Sequence, residues 1–389
     1  MIPRFKPFLG KEEFIALFKR NKNAAKEFEN KFAEKFKAQE AISFSYGRSA
    51  LWTFFKAMDI RNAEVIMPAY TCSVVAHAIV LSGNSPCFVD INLYDYNMNL
   101  DQVEESINVN TKAIIATHLF GYPLNTDRLK EIVKNAEKKY GHKIWVIQDC
   151  AHSFGAEWKG KLVCNEGDAA IFGLNISKTI TSIFGGMLTT NNLEVAEKIR
   201  SYRNKNFKTP GKIKTIKRVL YLLAVYVAFN EKIYGIVKWL QDSTPLLNRL
   251  TKAYHLDEKI HFPPDYLDLM IPVEAKVGIE QLKKYDEIIS IHRTNAKRYS
   301  ELFKNKKDWE LPPIVEGATY SHYVVRVKER NLLMQEYVKK GIELGQLIEY
   351  SIPNISTYSK WHTINNSNSL NCIKHIINLP IYREGLNID

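Results

Sequence analysis

The chain has 389 residues, 46% hydrophobic and 12% aromatic, with a formal net charge of +12. That size and apolar content support a large core divided between one big domain and a smaller one, and exclude a disordered or fibrous chain. The lysines alternate with acids along helical stretches such as 19–37 and 283–299, with no zinc-finger spacing, RNP-like strand or Arg/Gly tract; the charge reads as solvated helix faces, and nucleic acid is not expected as a partner.

Cys72, Cys87, Cys150, Cys164 and Cys372 lie far apart with no CxxC pair. This argues against a bound metal and suits free thiols in a reducing compartment. The opening "MIPRFKPFLGKEEF" has charges and prolines where a signal peptide has its apolar run, so a cytoplasmic protein is expected.

From about residue 40 to 200, short apolar runs alternate with helical segments such as 126–140. The runs are "AEVIMPAY", "SPCFVDI", "KAIIATHLF", "KIWVIQDC", "DAAIFGL" and "GGMLTT". This is the α/β pattern of a mostly parallel sheet covered on both faces, in which ligands bind beyond the carboxyl ends of the strands. Asp149 ends one such run, His118 falls near the end of another, and Lys178 follows a third. Residues 205–270 break the pattern: basic first, then apolar ("VLYLLAVYVAF"), then Pro-rich near "HFPPDY". From 271 one long helical stretch leads into "YSHYVVRV" and "NLLMQEYVKKGIELGQ", a strand and a helix. The expected division is a large α/β domain over 1–204, an insertion over 205–270 and a small C-terminal α/β domain over 271–389.

The chemistry centres on "FGLNISKTITSIFGGMLTT", residues 172–190. A lysine on a turn at the sheet's carboxyl edge, with small neighbours and Gly185-Gly186, can reach an aldehyde cofactor and form a Schiff base; a surface lysine in a crossover turn has the same look. Asp149 at a strand end is costly to bury without a cation, and a pyridinium nitrogen or an internal ion pair would serve equally. In "SYGRSALWTFF" the amides of Arg48, Ser49 and Ala50 and the Ser49 hydroxyl would face an anion at a helix start, or simply cap the helix.

Taken in order, these segments resemble the DegT/DnrJ/EryC1/StrS sugar aminotransferases, pyridoxal-phosphate enzymes of fold type I. "GRSAL" is similar to the family's phosphate loop, "EVIMPAYTCSVVAHAI" to its next strand-helix unit, and "TKAIIATHLFGYPLNTDRL" to its His-Leu-x-Gly turn. The stretch from "IQDCAHSFGA" to "NISKTITSIFGGMLTT" resembles its Asp-bearing strand and lysine loop. The resemblance covers roughly residues 1–204 and 271–383. It implies pyridoxal 5'-phosphate as cofactor, Lys178 as Schiff-base lysine and proton shuttle, and Asp149 on the pyridine nitrogen. It also implies His152 at the ring hydroxyl and Arg48 and Ser49 at the phosphate. Asn204 in "RSYRNKNF" would reach the phosphate of a partner subunit, so a homodimer is implied. The chain departs from the family at Cys72, where an aromatic ring usually stacks on the cofactor. It departs again at Gly173, where a serine usually holds the phosphate and for which Asn175 or Ser177 would substitute, and at Phe184, where an acid is common.

The implied reaction moves an amino group from L-glutamate to a nucleotide-activated keto sugar, in amino-sugar biosynthesis for a surface polysaccharide or related glycan. The alternatives are a related enzyme acting on another carbonyl substrate, sugar dehydration, or a non-catalytic scaffold with this fold; the family's dehydratases carry histidine in place of the lysine, so Lys178 favours transamination. The apolar run 219–229 is too short to span a bilayer, and its basic flanks fit either a peripheral membrane contact over 212–240 or a buried interface.

Overall fold

Short runs that are apolar on both faces form the strands of one central sheet in the computed structural model, which describes residues 1–243, 259–386 and 388. In chain order the strands are β1 (Glu40–Phe44), β2 (Glu64–Pro68), β3 (Ser85–Val89), β4 (Thr111–Thr117) and β5 (Trp145–Asp149). There follow a two-strand hairpin of β6 (Glu157–Trp158) and β7 (Lys161–Leu162), then β8 (Ala169–Gly173) and β9 (Gly186–Thr190). The large sheet has seven strands in the order β1-β9-β8-β5-β4-β2-β3. β9 alone runs against the others. Every apolar run anticipated between 63 and 190 is a strand; β1, with Glu40 and Ser43 in its five residues, lacks so clear a run.

Strand alternation splits the core into layers. Val65 and Met67 of β2 pack with the helices Gly47–Ala57, Ser73–Leu81 and Leu193–Asn206, through Leu51, Phe54, Ile79 and Ile199. Ile66 between them faces the other side, with Ile114, Ala116 and the apolar stripe of the helix Thr126–Tyr140. On that side too, Phe28 and Phe32 of the helix Ala24–Lys35 pack against Phe172 and Met187. Asparagines start several of the helices: the side chains of Asn99, Asn125 and Asn192 each accept from first-turn amides, and Gly141 ends the helix after Asn125 at φ 71°.

The long helical stretch from 271 is two helices, Pro272–Lys283 and Tyr285–Phe303, because Lys284 leaves the helical path and its amide turns back to Gln281 O at 3.1 Å. The second helix enters the small domain, whose three-stranded antiparallel sheet is β10 (Trp309–Glu310), β11 (Tyr323–Val327) and β12 (Ile376–Leu379), in that order. The amino terminus is tied to the same domain, with Ile2 N donating to Gly341 O at 2.8 Å and Glu343 N donating to Ile2 O at 2.9 Å.

Within 205–270, helices Lys212–Ala228 and Tyr234–Ser243 are described, and residues 244–258 lie outside the described residues. The first helix extends beyond the apolar run into its basic start, where Lys214 and Arg218 are paired with acids. Lys214 Nζ lies 3.0 Å from both Asp265 and Asp268, and Arg218 bridges to the fully buried Glu274 at 2.9 Å while its guanidinium sits 3.8 Å from the Phe184 ring centre. Leu222 joins Ile183, Ile271, Val273 and Val277 in a small core, with Val219 and Tyr226 packed against it. No helix among the described residues is long and apolar enough to cross a membrane.

The β9 start requires glycine. A Cβ on Gly186 would fall within clash distance of the Tyr46 backbone and the Gly47 amide nitrogen, where β9 passes the start of the helix Gly47–Ala57. Gly186→Ala is expected to cost about 3 kcal/mol or more, read as a lower urea midpoint; an unchanged midpoint would contradict this packing.

His118, just beyond β4, is structural. Its Nε2 lies 2.8 Å from Gln148 Oε1, and its Nδ1 accepts from the Leu124 amide at 2.9 Å, an arrangement that only the neutral ring satisfies. Burial pushes its pKa down to about 4, against the opposing pull of Gln148. The unfolded chain, with a histidine pKa near 6.5, therefore binds this proton first as pH falls. Its contribution is complete above about pH 6.5 and is lost on going down toward the folded pKa. Stability should decline between pH 7 and pH 4.5, less steeply in His118→Gln; equal slopes in the two proteins would contradict this reading.

Candidate active site

Because β1, β2, β4, β5 and β8 run the same way, their carboxyl ends share one edge, and the segments that leave them converge there. β1 leads to Arg48 and Ser49, β2 to Cys72, β5 to Asp149 and His152, and β8 to the loop bearing Lys178. A cleft opens beside this edge, with Ser177 and Lys178 in its wall and His292, Ser321, His322, Asn378 and Tyr382 opposite them; Arg48, Ser49, Cys72, Asp149 and His152 do not line it.

The lysine loop is held from within. Leu174 N donates to Gly185 O and Ser182 N to Leu174 O, both at 2.9 Å, so residues 174 and 182–185 close a ring from which the intervening turn projects. Asn175 Oδ1 accepts from Ser177 N at 3.0 Å and Ser177 Oγ at 2.7 Å, and Asn175 O accepts from Lys178 N at 3.0 Å. Asn175 and Ser177 thus shape the turn that aims Lys178. Ile183 is buried at φ 72°, a conformation β-branched residues rarely adopt, and Gly185 sits at φ 122°. Backbone strain is concentrated just behind the lysine.

Burial holds the Lys178 ammonium below its ordinary pKa, while the neighbouring Cys72 and Asp149 pull it back up. Burial raises the Asp149 pKa, opposed by the Ala151 amide, which donates to Oδ1 at 3.1 Å, and by the Lys178 charge. Amine and carboxylate therefore lie close enough to bias each other. His152 is buried; its Nδ1 accepts from Phe120 N at 3.4 Å and its ring centre is 5.2 Å from that of His322. Burial holds His152 well below the usual histidine range, reinforced by Lys178 and His322. A neutral imidazole is thus kept beside the amine.

At the start of the helix Gly47–Ala57 the amides of Ser49 and Ala50 donate to Tyr46 O at 3.1 and 3.2 Å. The Ser49 hydroxyl donates to Tyr266 O at 2.7 Å, because the Pro-rich segment before Tyr266 folds across this helix. Arg48 is nearly buried, its guanidinium 5.1 Å from the Tyr46 ring centre; burial lowers its pKa and the nearby Cys72 raises it, so Cys72 lies within electrostatic reach of both Arg48 and Lys178. Gly173 leaves room near the lysine: a Cβ there would meet Lys178 Cε at 3.6 Å. Asn204 is elsewhere, on the exposed side of the helix Leu193–Asn206, where its Oδ1 accepts from Arg203 Nε at 3.4 Å.

Three parts of the cleft escaped the sequence reading. His322 is buried, with its Nδ1 3.0 Å from Ser321 Oγ, and burial followed by the Lys178 charge pushes its pKa down to about 3. His292 lies in the helix Tyr285–Phe303, its pKa pushed down to about 4 by burial. The amino-terminal segment Arg4–Phe8 closes the side of the cleft. The one available sign was histidine inside apolar runs, "YSHYVVRV" and "EIISIHRT".

The profile of the DegT/DnrJ/EryC1/StrS aminotransferase family matches residues 17–236 and 268–386. Over 361 residues the chain is 29% identical to the dTDP-3-amino-3,6-dideoxy-alpha-D-galactopyranose transaminase of Aneurinibacillus thermoaerophilus, covering 91% of this chain and 84% of that protein. It is 35% identical over 184 residues to the GDP-perosamine synthase of Escherichia coli O157:H7, about half of each protein (47% and 49%). Its fold superposes on the sugar aminotransferase CalS13 from Micromonospora echinospora with a TM-score of 0.78 at 18% identity, covering 100% of this chain and 96% of that one. With a match that covers most of the chain and includes the lysine loop, the chain belongs to the DegT/DnrJ/EryC1/StrS aminotransferase family.

Proposed function

We propose that the sheet edge carrying Arg48, Asp149 and Lys178 binds pyridoxal 5'-phosphate and that the protein moves an amino group from L-glutamate to a nucleotide-linked keto sugar. The observation that carries this reading is the placement of Asp149 at the end of β5 beside β8, whose following loop brings Lys178 to the same sheet edge. The donor set fits the cofactor: a buried carboxylate for the ring nitrogen, an amine of lowered pKa for the aldehyde, and the cationic Arg48 for the phosphate. When bound, the cofactor supplies an aldehyde that takes up amines covalently and a ring that withdraws electrons from the bound amine.

The chain supplies the rest. Asp149 keeps a proton on the ring nitrogen, which in turn compensates its buried charge. Lys178 is a nucleophile in its neutral form, and burial favours that form; the same amine accepts and returns the proton at the reacting carbon. His152, held neutral, offers a ring nitrogen to the cofactor's hydroxyl. Arg48 meets the phosphate, with Ser49 joining it if its hydroxyl turns from Tyr266 O. Cys72 leaves one ring face without an aromatic cover. Asn204, exposed on its own subunit, reaches the phosphate of a second copy in a homodimer. The working division is a cofactor domain over 1–204, an insertion over 205–270 and a small domain over 271–389, in a cytoplasmic enzyme of amino-sugar synthesis for a surface polysaccharide.

The purified protein, given pyridoxal phosphate, L-glutamate and GDP- or dTDP-linked keto sugars, should yield one nucleotide amino sugar and an equal amount of 2-oxoglutarate, detected by mass. Release of water from the sugar without nitrogen incorporation would point to dehydration instead.

The electrostatics add a second expectation. Since the Asp149 charge raises the Lys178 pKa, Asp149→Asn should move the capture of a small aldehyde by Lys178, trapped with borohydride, to lower pH. A profile that stays in place or moves upward would mean that the two groups do not interact.

A further inference from the structure

The helix Lys212–Ala228 has two unlike faces. At about 100° per residue, Arg218, Leu222 and Val225 point one way; Arg218 and Leu222 bind the helix to the body of the protein, and Val225 is buried on the same side. On the opposite side Ile213, Ile216, Leu220 and Val227 form one stripe, exposed by 71%, 57%, 60% and 61%. Isolated exposed aliphatics are ordinary, but four on one line are not. The next helix, Tyr234–Ser243, adds exposed Ile236, Trp239 and Leu240 at helical spacing.

Charge identifies what would cover this face. Lys212 and Lys217 are both exposed and fall on either side of the stripe, about 70° from its centre line. Lys232 is exposed in the turn between the helices. The helix Lys212–Ala228 contains no acidic residue, and Glu231, the one acid between 212 and 241, is engaged by Lys6 and Arg383. Two copies meeting through this stripe would bring like charges together, and the helix Lys212–Ala228 has no acid of its own to offset them. An anionic lipid surface complements both features: aliphatic side chains enter at the headgroup boundary, lysines reach the phosphates, and an exposed Trp favours the interface. The helix is too short to span and is pinned along its inner side by Arg218 and Lys214, so it would lie flat.

We infer that the Ile213–Ile216–Leu220–Val227 stripe, flanked by Lys212 and Lys217, docks this protein on an anionic membrane surface. Docking would put the cleft's product next to enzymes that use nucleotide sugars at a membrane. The occupant is a bilayer and not a second copy of the chain.

The test is co-sedimentation of the full-length protein with phosphatidylcholine vesicles, with and without about a third phosphatidylglycerol, at about 0.1 M and about 1 M salt. The wild type should pellet with anionic vesicles at low salt, and several-fold less with neutral vesicles or at high salt. Ile216→Glu/Leu220→Glu should abolish pelleting, and Lys212→Gln/Lys217→Gln should weaken it several-fold, with the thermal midpoint of each variant serving as the check on folding. Absence of pelleting by the wild type, or equal pelleting by a folded Ile216→Glu/Leu220→Glu protein, would overturn the proposal. So would a wild type that ignores vesicles but whose oligomer dissociates in that variant, which would make the stripe a contact between copies. For a variant that fails to fold, quenching of Trp239 fluorescence by brominated lipid in the wild type gives the same answer: quenching supports docking, and its absence overturns it.

Discussion

The molecule is organised around a carboxylate and an amine brought to the same edge of the sheet. Asp149 closes a buried strand and Lys178 projects from a turn beside it, and burial pushes each toward its neutral form while the other pulls it back toward charge. Such a pair is costly unless something else shares the site. A cation at the carboxylate and a carbonyl at the amine would both relieve that cost, and the fold is built to bring such a molecule to this edge.

Much of the architecture follows from this requirement. Parallel strands collect their carboxyl ends on one edge, and only β9, coming back after the lysine loop, runs the other way. The return is tight, so glycine stands at 185 and 186, and Ile183 takes up a strained backbone that the core with Leu222 and Val277 holds in place. The segment 205–270 therefore does more than decorate the surface. Its inner face supports the back of the lysine loop, its Pro-rich end covers the start of the helix Gly47–Ala57, and its outer face is apolar and basic.

What was legible in the sequence was whatever depends on neighbours in the chain. The strands β2 to β5, β8 and β9 stood out because burial on two faces demands continuous apolar runs, and Asp149 and Lys178 stood out because charge is conspicuous at the ends of such runs. β1 did not, since Glu40 and Ser43 dilute it. The break at Lys284 leaves no mark in composition. His292 and His322 reach the cleft across more than a hundred residues from Lys178, and only tertiary packing joins them. Ser49 could be read as an anion ligand at a helix start, but its bond to Tyr266 O depends on a segment more than two hundred residues away.

The most direct measurement is the absorption spectrum of the purified protein with pyridoxal phosphate, before and after L-glutamate, beside Lys178→Ala. A visible band is expected in the wild type that bleaches with glutamate and is absent or unresponsive in the variant. A wild type with no band, or a variant indistinguishable from it, would mean that the amine in "NISKTITS" is not the group that holds the cofactor.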